Sequence, residues 1–361
     1  VFADFDHELN CSIFNVFNPV KAINKLEGNK ADKIHFTKFV ENNEETQKLC
    51  SEADIIIIER NFFSDVTVMA QYWKTRGKTV IGIWDDSYDH MDRRNPTYEF
   101  WEHGEVSFKD QEGKIQKGRM YPNPLTQFRW TLRIMKGAQV VSKALAEDWS
   151  PYVKTYHINN YLDMDRYQAA KPLIKHDGYI FVGWCGSLSH FSSHQDSGAL
   201  RALRKIVKNF PKVRVLIGGD KRVFDALDIP SSKKLFQPYV PDEYYSGLLK
   251  SFDIGIAPLA GEYDKRRSWL KVLEYQVMKV PWVASDYPTY EELFPYGKPT
   301  KNTWRDWEEA IADVLQNYEE RKYFAETTAY DFAKNQSIDL NIGKTLELYN
   351  RIIKEPYLDE W

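Results

Sequence analysis

The sequence predicts an α/β fold built from two doubly wound parallel-sheet domains. Three observations predict it. The chain has 361 residues, long for a single hydrophobic core. One pattern occurs in each half: an apolar run, a helical stretch, and a second apolar run ending in Asp. It reads ADIIIIER (53–60), a helix through MAQYWKTRG (69–77) and KTVIGIWDD (78–86), then FDIGIAPL (252–259), LKVLEYQVM (270–278) and VPWVASD (280–286). Near-continuous aliphatic runs that flank a helix mark strands covered on both faces, as in parallel βαβ units. Finally, 22 Tyr, 20 Phe and 11 Trp supply large side chains for two cores.

The elements follow in chain order. NCSIFNVF (10–17) reads as a strand, followed by a turn at Asn18-Pro19 and a helix VKAINKL (20–26). EVSFKDQEGKIQKGR (105–119) alternates around Glu112-Gly113 like a hairpin and interrupts the α/β grammar. AQVVSKALAEDW (138–149) is a strand, then Ser142 as N-cap, then a helix. KTYHINNYLD (154–163) is a strand and its exit. The polar stretch DMDRYQAAKPLIKHDG (163–178) separates the halves. Then come YIFVGWCGS (179–187, strand), SGALRALRKIVKNF (197–210, helix), VRVLIGGD (213–220, strand) and PDEYYSGLLKSF (241–252, helix). Beyond residue 304 the pattern is helical, with a last helix near 339–354. The expected organisation is a first Rossmann-like domain over 1–165 and a second over 175–338. Residues 339–361 form a helix expected to pack back on the first.

Composition narrows the function. A net charge of −3 gives no footprint for duplex nucleic acid. Cys11, Cys50 and Cys185 are far apart and lack CxxC spacing, so neither a disulfide framework nor a structural zinc site is expected. The start, VFADFDHELN, has no apolar run of signal-peptide type, and IIIIE (55–59) is too short to span a bilayer. A cytoplasmic protein is expected, with at most peripheral membrane contact through a basic-aromatic patch.

In open α/β sheets, ligands sit beyond the carboxyl ends of the strands. Four such stretches stand out. DKRRSWLKVLEY (264–275) sets Lys265, Arg266 and Arg267 before a helix on which Arg267, Lys271 and Glu274 share one face. It reads either as a solvated amphipathic helix or as an anion cradle with a carboxylate one turn deeper. GWCGSLSH (183–190) is a small-residue loop running into a helix, able to turn N–H groups toward a phosphate or simply to form a tight turn and cap. It matches neither the P-loop nor the GxGxxG pattern. Together the two loops suit a diphosphate, with Arg267 as clamp and Glu274 on the hydroxyls of a ribose. WDDSYDHM (84–91) gathers Asp85, Asp86, Asp89 and His90, which suit a helix cap, a divalent metal, or polar recognition of a sugar across an interdomain cleft that Arg60 also faces. Tyr239, in LFQPYVP (235–241), is placed beside a nucleobase.

These stretches resemble the retaining GT-B glycosyltransferases of family 4. GWCGSLSH, DIGIAPL, DKRRSWLKVLEY and VPWVASD stand in the family's order, as do WDDSYDH, VVSKALAE and INNYLD in the first half. The resemblance covers most of the chain. It implies a nucleotide-diphosphate sugar donor bound by the second domain and a glycan, glycolipid or other hydroxyl acceptor at the first. Glu274 matches the second Glu of the family's E-x7-E motif, which holds the ribose. The first Glu position is Arg266, a departure that obscures the sugar's identity. Arg267 and Ser268 would serve the diphosphate, with Gly186, Ser187 and His190 on the phosphate-side loop. Asp85 and Asp86 would lie near the sugar. The implied chemistry is front-face transfer with retention, needing no protein nucleophile and no metal. A GT-B-like nucleotide-sugar epimerase and a binding module without turnover are the alternatives.

Overall fold

Two six-stranded parallel sheets organise the chain. They are seen in a computed structural model that describes residues 1–8, 11–110, 112–175 and 178–358. Strands of the first sheet are β1 (Phe2–Ala3), β2 (Ile34–His35), β3 (Ile55–Glu59) and β4 (Thr79–Trp84). An antiparallel hairpin of β5 (Glu105–Lys109) and β6 (Ile115–Arg119) follows, and β7 (Gly137–Val140) and β8 (Thr155–His157) complete the sheet. The second sheet holds β9 (Ile180–Gly186), β10 (Val213–Gly219), β11 (Lys234–Gln237), β12 (Ile254–Ala257), β13 (Trp282–Ser285) and β14 (Lys298–Thr300).

The orders are β2-β1-β3-β4-β7-β8 and β11-β10-β9-β12-β13-β14. Each reverses direction once, at β1/β3 and at β9/β12. These are the switch points where adjacent loops diverge and leave room for a ligand.

The chain divides into two units. One comprises Val1–Arg93, Thr97–Leu162 and Ile338–Trp361; the other comprises Arg94–Pro96 and Asp163–Ser337. In the first, strand alternation sorts side chains between two cores. Ile56, Ile58, Val80 and Trp84 face an aromatic cluster in which Tyr88 stacks on Trp101 at 3.7 Å and Phe128 meets Trp84 and Trp149 edge-on. Ile57, Ile81 and Ile83 face the opposite way, onto Leu348, Tyr349 and Ile352 of the final helix, Ile338–Lys354. That helix is tied in by the Ile338 amide on the Leu162 carbonyl at 2.8 Å.

In the second unit, Val182 and Trp184 of β9, Ile217 of β10 and Ile254 of β12 pack under the helices Ala199–Asn209 and Trp304–Gln316 through Leu203, Ile206, Trp307 and Ile311. On the other face Gly255 admits the ring of Tyr275, 2.7 Å from where a Cβ would stand. The Tyr275 hydroxyl donates to the Ile256 carbonyl at 2.9 Å. This seats the helix Leu270–Val277 on β12.

Most expected elements are present, including the hairpin, although its Gln111 lies outside the described residues. Ser142 accepts from the Leu145 amide as an N-cap. One expectation is overturned. NCSIFNVF is not a strand: Ile13–Phe17 forms a π-helical turn continuing into the helix Asn18–Ile23, and β1 lies upstream. Ile13, Val16, Phe17 and Val20 are spaced i, i+3, i+4, i+7, a helical period that bulky β-formers disguised. Asn10, which opened the expected strand, lies outside the described residues, as do His176 and Asp177 of the separating stretch.

Among the described residues no helix is long and apolar enough to cross a membrane.

The final helix contributes core rather than decoration. Ile352→Ala should therefore lower unfolding stability by about 2–5 kcal/mol, the usual range for truncating a fully buried aliphatic side chain. Urea titration followed by tryptophan fluorescence measures it, and a loss below about 0.5 kcal/mol would contradict the packing described.

Candidate functional site

At the second unit's switch point, β9 ends at Gly186 and leads through Ser187 into a tight turn, Leu188–His190, and the helix Phe191–Asp196. Gly219, at the end of the adjacent β10, has φ +85° and comes so close that a Cβ would stand 2.3 Å from the Gly186 carbonyl oxygen. From β12 the chain passes through a one-turn helix, Gly261–Asp264, before the helix Leu270–Val277.

Asp264 joins these segments. It is 2% exposed and accepts from the Ser193 hydroxyl at 2.5 Å, the Ala260 amide at 2.8 Å and the Arg267 Nε at 2.6 Å. Arg267 then donates to the Ser189 carbonyl at 2.9 Å and its hydroxyl at 3.0 Å. Arg267 and the loop from Gly186 to His190 therefore meet on one side of the sheet.

The other cations of the DKRRS run behave differently. Lys265 and Arg266 turn back onto Glu262, at 2.5 Å and 2.9 Å. The expectation that all three stand at the front of the long helix is corrected here, since that helix begins at Leu270. They follow the one-turn helix instead and sit at its C-terminal end, where the backbone dipole favours positive charge. Ser268 is half-buried at the turn into the long helix.

Lys271, in the first turn, donates to the Cys185 carbonyl at 2.5 Å and to the Tyr245 hydroxyl at 3.3 Å. Glu274, 4% exposed, accepts from Tyr167 Oη at 3.0 Å and from Tyr245 Oη at 2.9 Å. Burial of a carboxylate is costly without such donors.

His190 sits beside Arg267 and Lys271. Burial, then those two cations and His194, push its pKa well below the ordinary histidine range. His194 is fully buried against the Trp184 ring, 4.4 Å away, and burial and Lys271 push it down to about 3. Both imidazoles are neutral at pH 7, so the positive charge of the cradle comes from Arg267 and Lys271. Tyr239 is 63% exposed on the loop after β11, just past the Gly218–Gln237 register pair.

The first unit's switch point holds a second polar cluster. Arg60 reaches Asp85 at 3.4 Å, Asp86 at 3.7 Å and Asp4 at 3.8 Å. Its φ of +54° is uncommon for a residue with a side chain. Beneath it Glu59 is fully buried and accepts from the Ser12 hydroxyl at 2.8 Å and the Asp4 amide at 2.9 Å. Burial pushes Glu59 up to about 7. Asn15 donates to Asp85 at 3.4 Å, and burial raises the Asp85 pKa although Arg60 opposes the shift.

Sequence reasoning found Arg60, Asp85 and Asp86 but missed Asp4, Ser12, Asn15 and Glu59. Ser12 and Asn15 were hidden in the misassigned strand. Asp89 does not join the cluster. Its carboxylate accepts from Arg129 and from the Trp149 indole at 3.3 Å, which makes it a packing anchor. His90 meets Ser87 at 3.0 Å and Asp148 at 3.5 Å, both at Nδ1. Among the described residues no group of three or more His, Cys, Asp or Glu side chains is placed to hold a metal ion.

The buried imidazole of His194 has a consequence for stability. The unfolded chain takes up a proton near pH 6.5, whereas the folded ring refuses it until about 3. Stability should therefore fall as pH drops from 6.5 toward 3, by at most about 1.4 kcal/mol per pH unit from this group. His194→Leu should lose less stability than wild type between pH 7 and pH 5 in urea titrations. Equal losses would mean that the ring is not excluded from protonation.

No protein-family model and no curated protein matches the sequence. Solved structures do. Sucrose-phosphate synthase from Thermosynechococcus elongatus is 12% identical, with 88% of this chain and 78% of that one covered and a TM-score of 0.56. HepE of Anabaena, solved with UDP and glucose, is 14% identical, covering 91% and 89%, at 0.57. S. aureus TarM, solved with fondaparinux, α-GlcNAc-glycerol and UDP, is 14% identical at 0.56; 88% of this chain is covered, but it spans only 58% of TarM. At such identities the likeness establishes the fold, which is of the GT-B class: two Rossmann-like domains, each on a six-stranded parallel sheet.

Proposed function

We propose that the protein is a glycosyltransferase. It moves a sugar from a nucleotide-diphosphate donor to an acceptor hydroxyl with retention of anomeric configuration. One observation carries this reading: Arg267 and Lys271 gather with the loop from Gly186 to His190 at a switch point, and Glu274 stands one turn deeper in the same helix. The cations and the loop suit a diphosphate, and the carboxylate suits the ribose attached to it. HepE and TarM, which share the fold, were both solved with UDP.

Breaking the anomeric bond leaves negative charge on the departing diphosphate. Arg267 is held in place by Asp264 and Ser189, so little reorganisation is needed as that charge grows. The departing oxygen takes the acceptor's proton, and the neutral ring of His190 adds no competing charge. Ser187, Ser268 and Tyr239 complete the donor surface. Arg60 serves the acceptor, and Asp85 and Asp86 serve the transferred sugar. Arg266 is engaged by Glu262, so the sugar contact made by the first Glu in similar enzymes passes to other groups.

Incubation with UDP-, ADP- and GDP-sugars, followed by nucleotide release, tests the reading. Glu274→Ala should weaken donor binding. Arg267→Ala should lower kcat about a hundredfold, the scale of losing one preorganised donor to a developing anion. Wild-type kinetics in both variants would remove the assignment.

The mechanism also needs no metal, so turnover should survive EDTA. Loss of activity that added Mg²⁺ or Mn²⁺ restores would bring a metal site back into the account.

A further inference from the structure

Glu274 presents a carboxylate that two tyrosines hold from different parts of the chain. Tyr167 belongs to the short helix Asp165–Gln168 and Tyr245 to the helix Asp242–Lys250. Each hydroxyl takes a different carboxylate oxygen. The two helices are joined by Arg166 and Asp242, an ion pair in which Arg166 is the immediate neighbour of Tyr167. Asp242 lies three residues before Tyr245, on the same helical face. The pair thus acts as a buckle that sets the spacing of the two hydroxyls.

We infer that Tyr167 and Tyr245 are positioning residues that aim Glu274 at a vicinal diol and so make the site select ribonucleotides over 2′-deoxyribonucleotides. The inference rests on the donor-site reading above and deepens it.

An ionised carboxylate offers about four acceptor positions. The tyrosines occupy one on each oxygen, which leaves one on each for a neighbouring pair of O–H donors. A buried carboxylate free to rotate would offer no fixed pair. With both oxygens tethered, the two remaining acceptors have fixed directions. Burial pushes both phenols well above their ordinary range, so they stay O–H donors at any working pH. Tyr245 also receives a hydrogen bond from Lys271, which forms a chain from ammonium to phenol to carboxylate. A site built this way loses a bond when the ligand lacks one hydroxyl, and its buried acceptor is left without a donor.

The experiment is calorimetric titration of the full chain with UDP, ADP and GDP and with their 2′-deoxy forms. It is done for wild type, Tyr167→Phe, Tyr245→Phe and Glu274→Gln, with inorganic pyrophosphate as a ribose-free probe. For whichever nucleotide binds, wild type should prefer the ribo form about tenfold to a hundredfold, the scale of a hydrogen bond to a charged group. Each Phe variant should cut that ratio to about threefold or less, while pyrophosphate affinity changes by less than about twofold. Because the ratio is taken within one variant, partial unfolding cancels out of it. A merely structural role for the tyrosines would weaken both forms and pyrophosphate alike, leaving the ratio intact.

An unchanged ratio in both Phe variants overturns the inference, as does a wild-type protein that binds UDP without preferring ribose. If wild type binds none of the three nucleoside diphosphates, the donor-site reading itself fails. That result is distinct from binding without discrimination.

Discussion

Asp264 accepts three hydrogen bonds while almost wholly removed from solvent, and the second unit's site depends on it. A carboxylate buried this way is stable only if its partners stay in place. The partners are a helix hydroxyl, a loop amide and the Arg267 guanidinium, so they hold three segments to one point. Arg267 is thereby directed at the loop after β9 rather than at solvent. Its opposite end bonds Ser189, which closes the link between the loops on the two sides of the switch point. Arrangement of charge before a ligand arrives is what gives an electrostatic site its effect.

The cradle is economical in charge. Of the cations near the switch point, Lys265 and Arg266 both pair with Glu262, and the two histidines are kept neutral by burial and by the cations beside them. Arg267 pairs with the buried Asp264, and Lys271 donates to two neutral oxygens, the Cys185 carbonyl and the Tyr245 hydroxyl. Glycine makes the geometry possible: Gly219 lets β10 approach the Gly186 carbonyl more closely than any side chain would permit.

The first unit solves a different problem at its own switch point. Carboxylates from the ends of β1 and β4 converge there on a single guanidinium that follows β3, and Arg60 adopts a backbone conformation that side chains usually avoid. Glu59 lies beneath, fully buried, with its pKa raised to about 7. Local strain and a raised acid in one place are common at functional positions. The Ser12 and Asn15 contacts show why the turn after β1 is helical: a strand there would alternate these side chains across the sheet rather than deliver both to the cluster.

The sequence by itself determined the central strands, the long helices, the hairpin and the placement of Lys271 and Glu274 on one helical face, but not the turn at Arg267, which precedes the helix. These are written in local periodicity, which a short window of residues carries complete. Tertiary structure alone decided which cation faces the loop, that Asp264 is the anchor, and that Ser12 and Asn15 lie on a helical turn. It also decided what holds Glu274. Tyr167 and Tyr245 lie 107 and 29 residues away from it, and a hydrogen bond across such a distance leaves no pattern in either segment. Whether a polar side chain is a surface residue or a site residue depends on what the fold brings against it, and that information is carried by long-range packing.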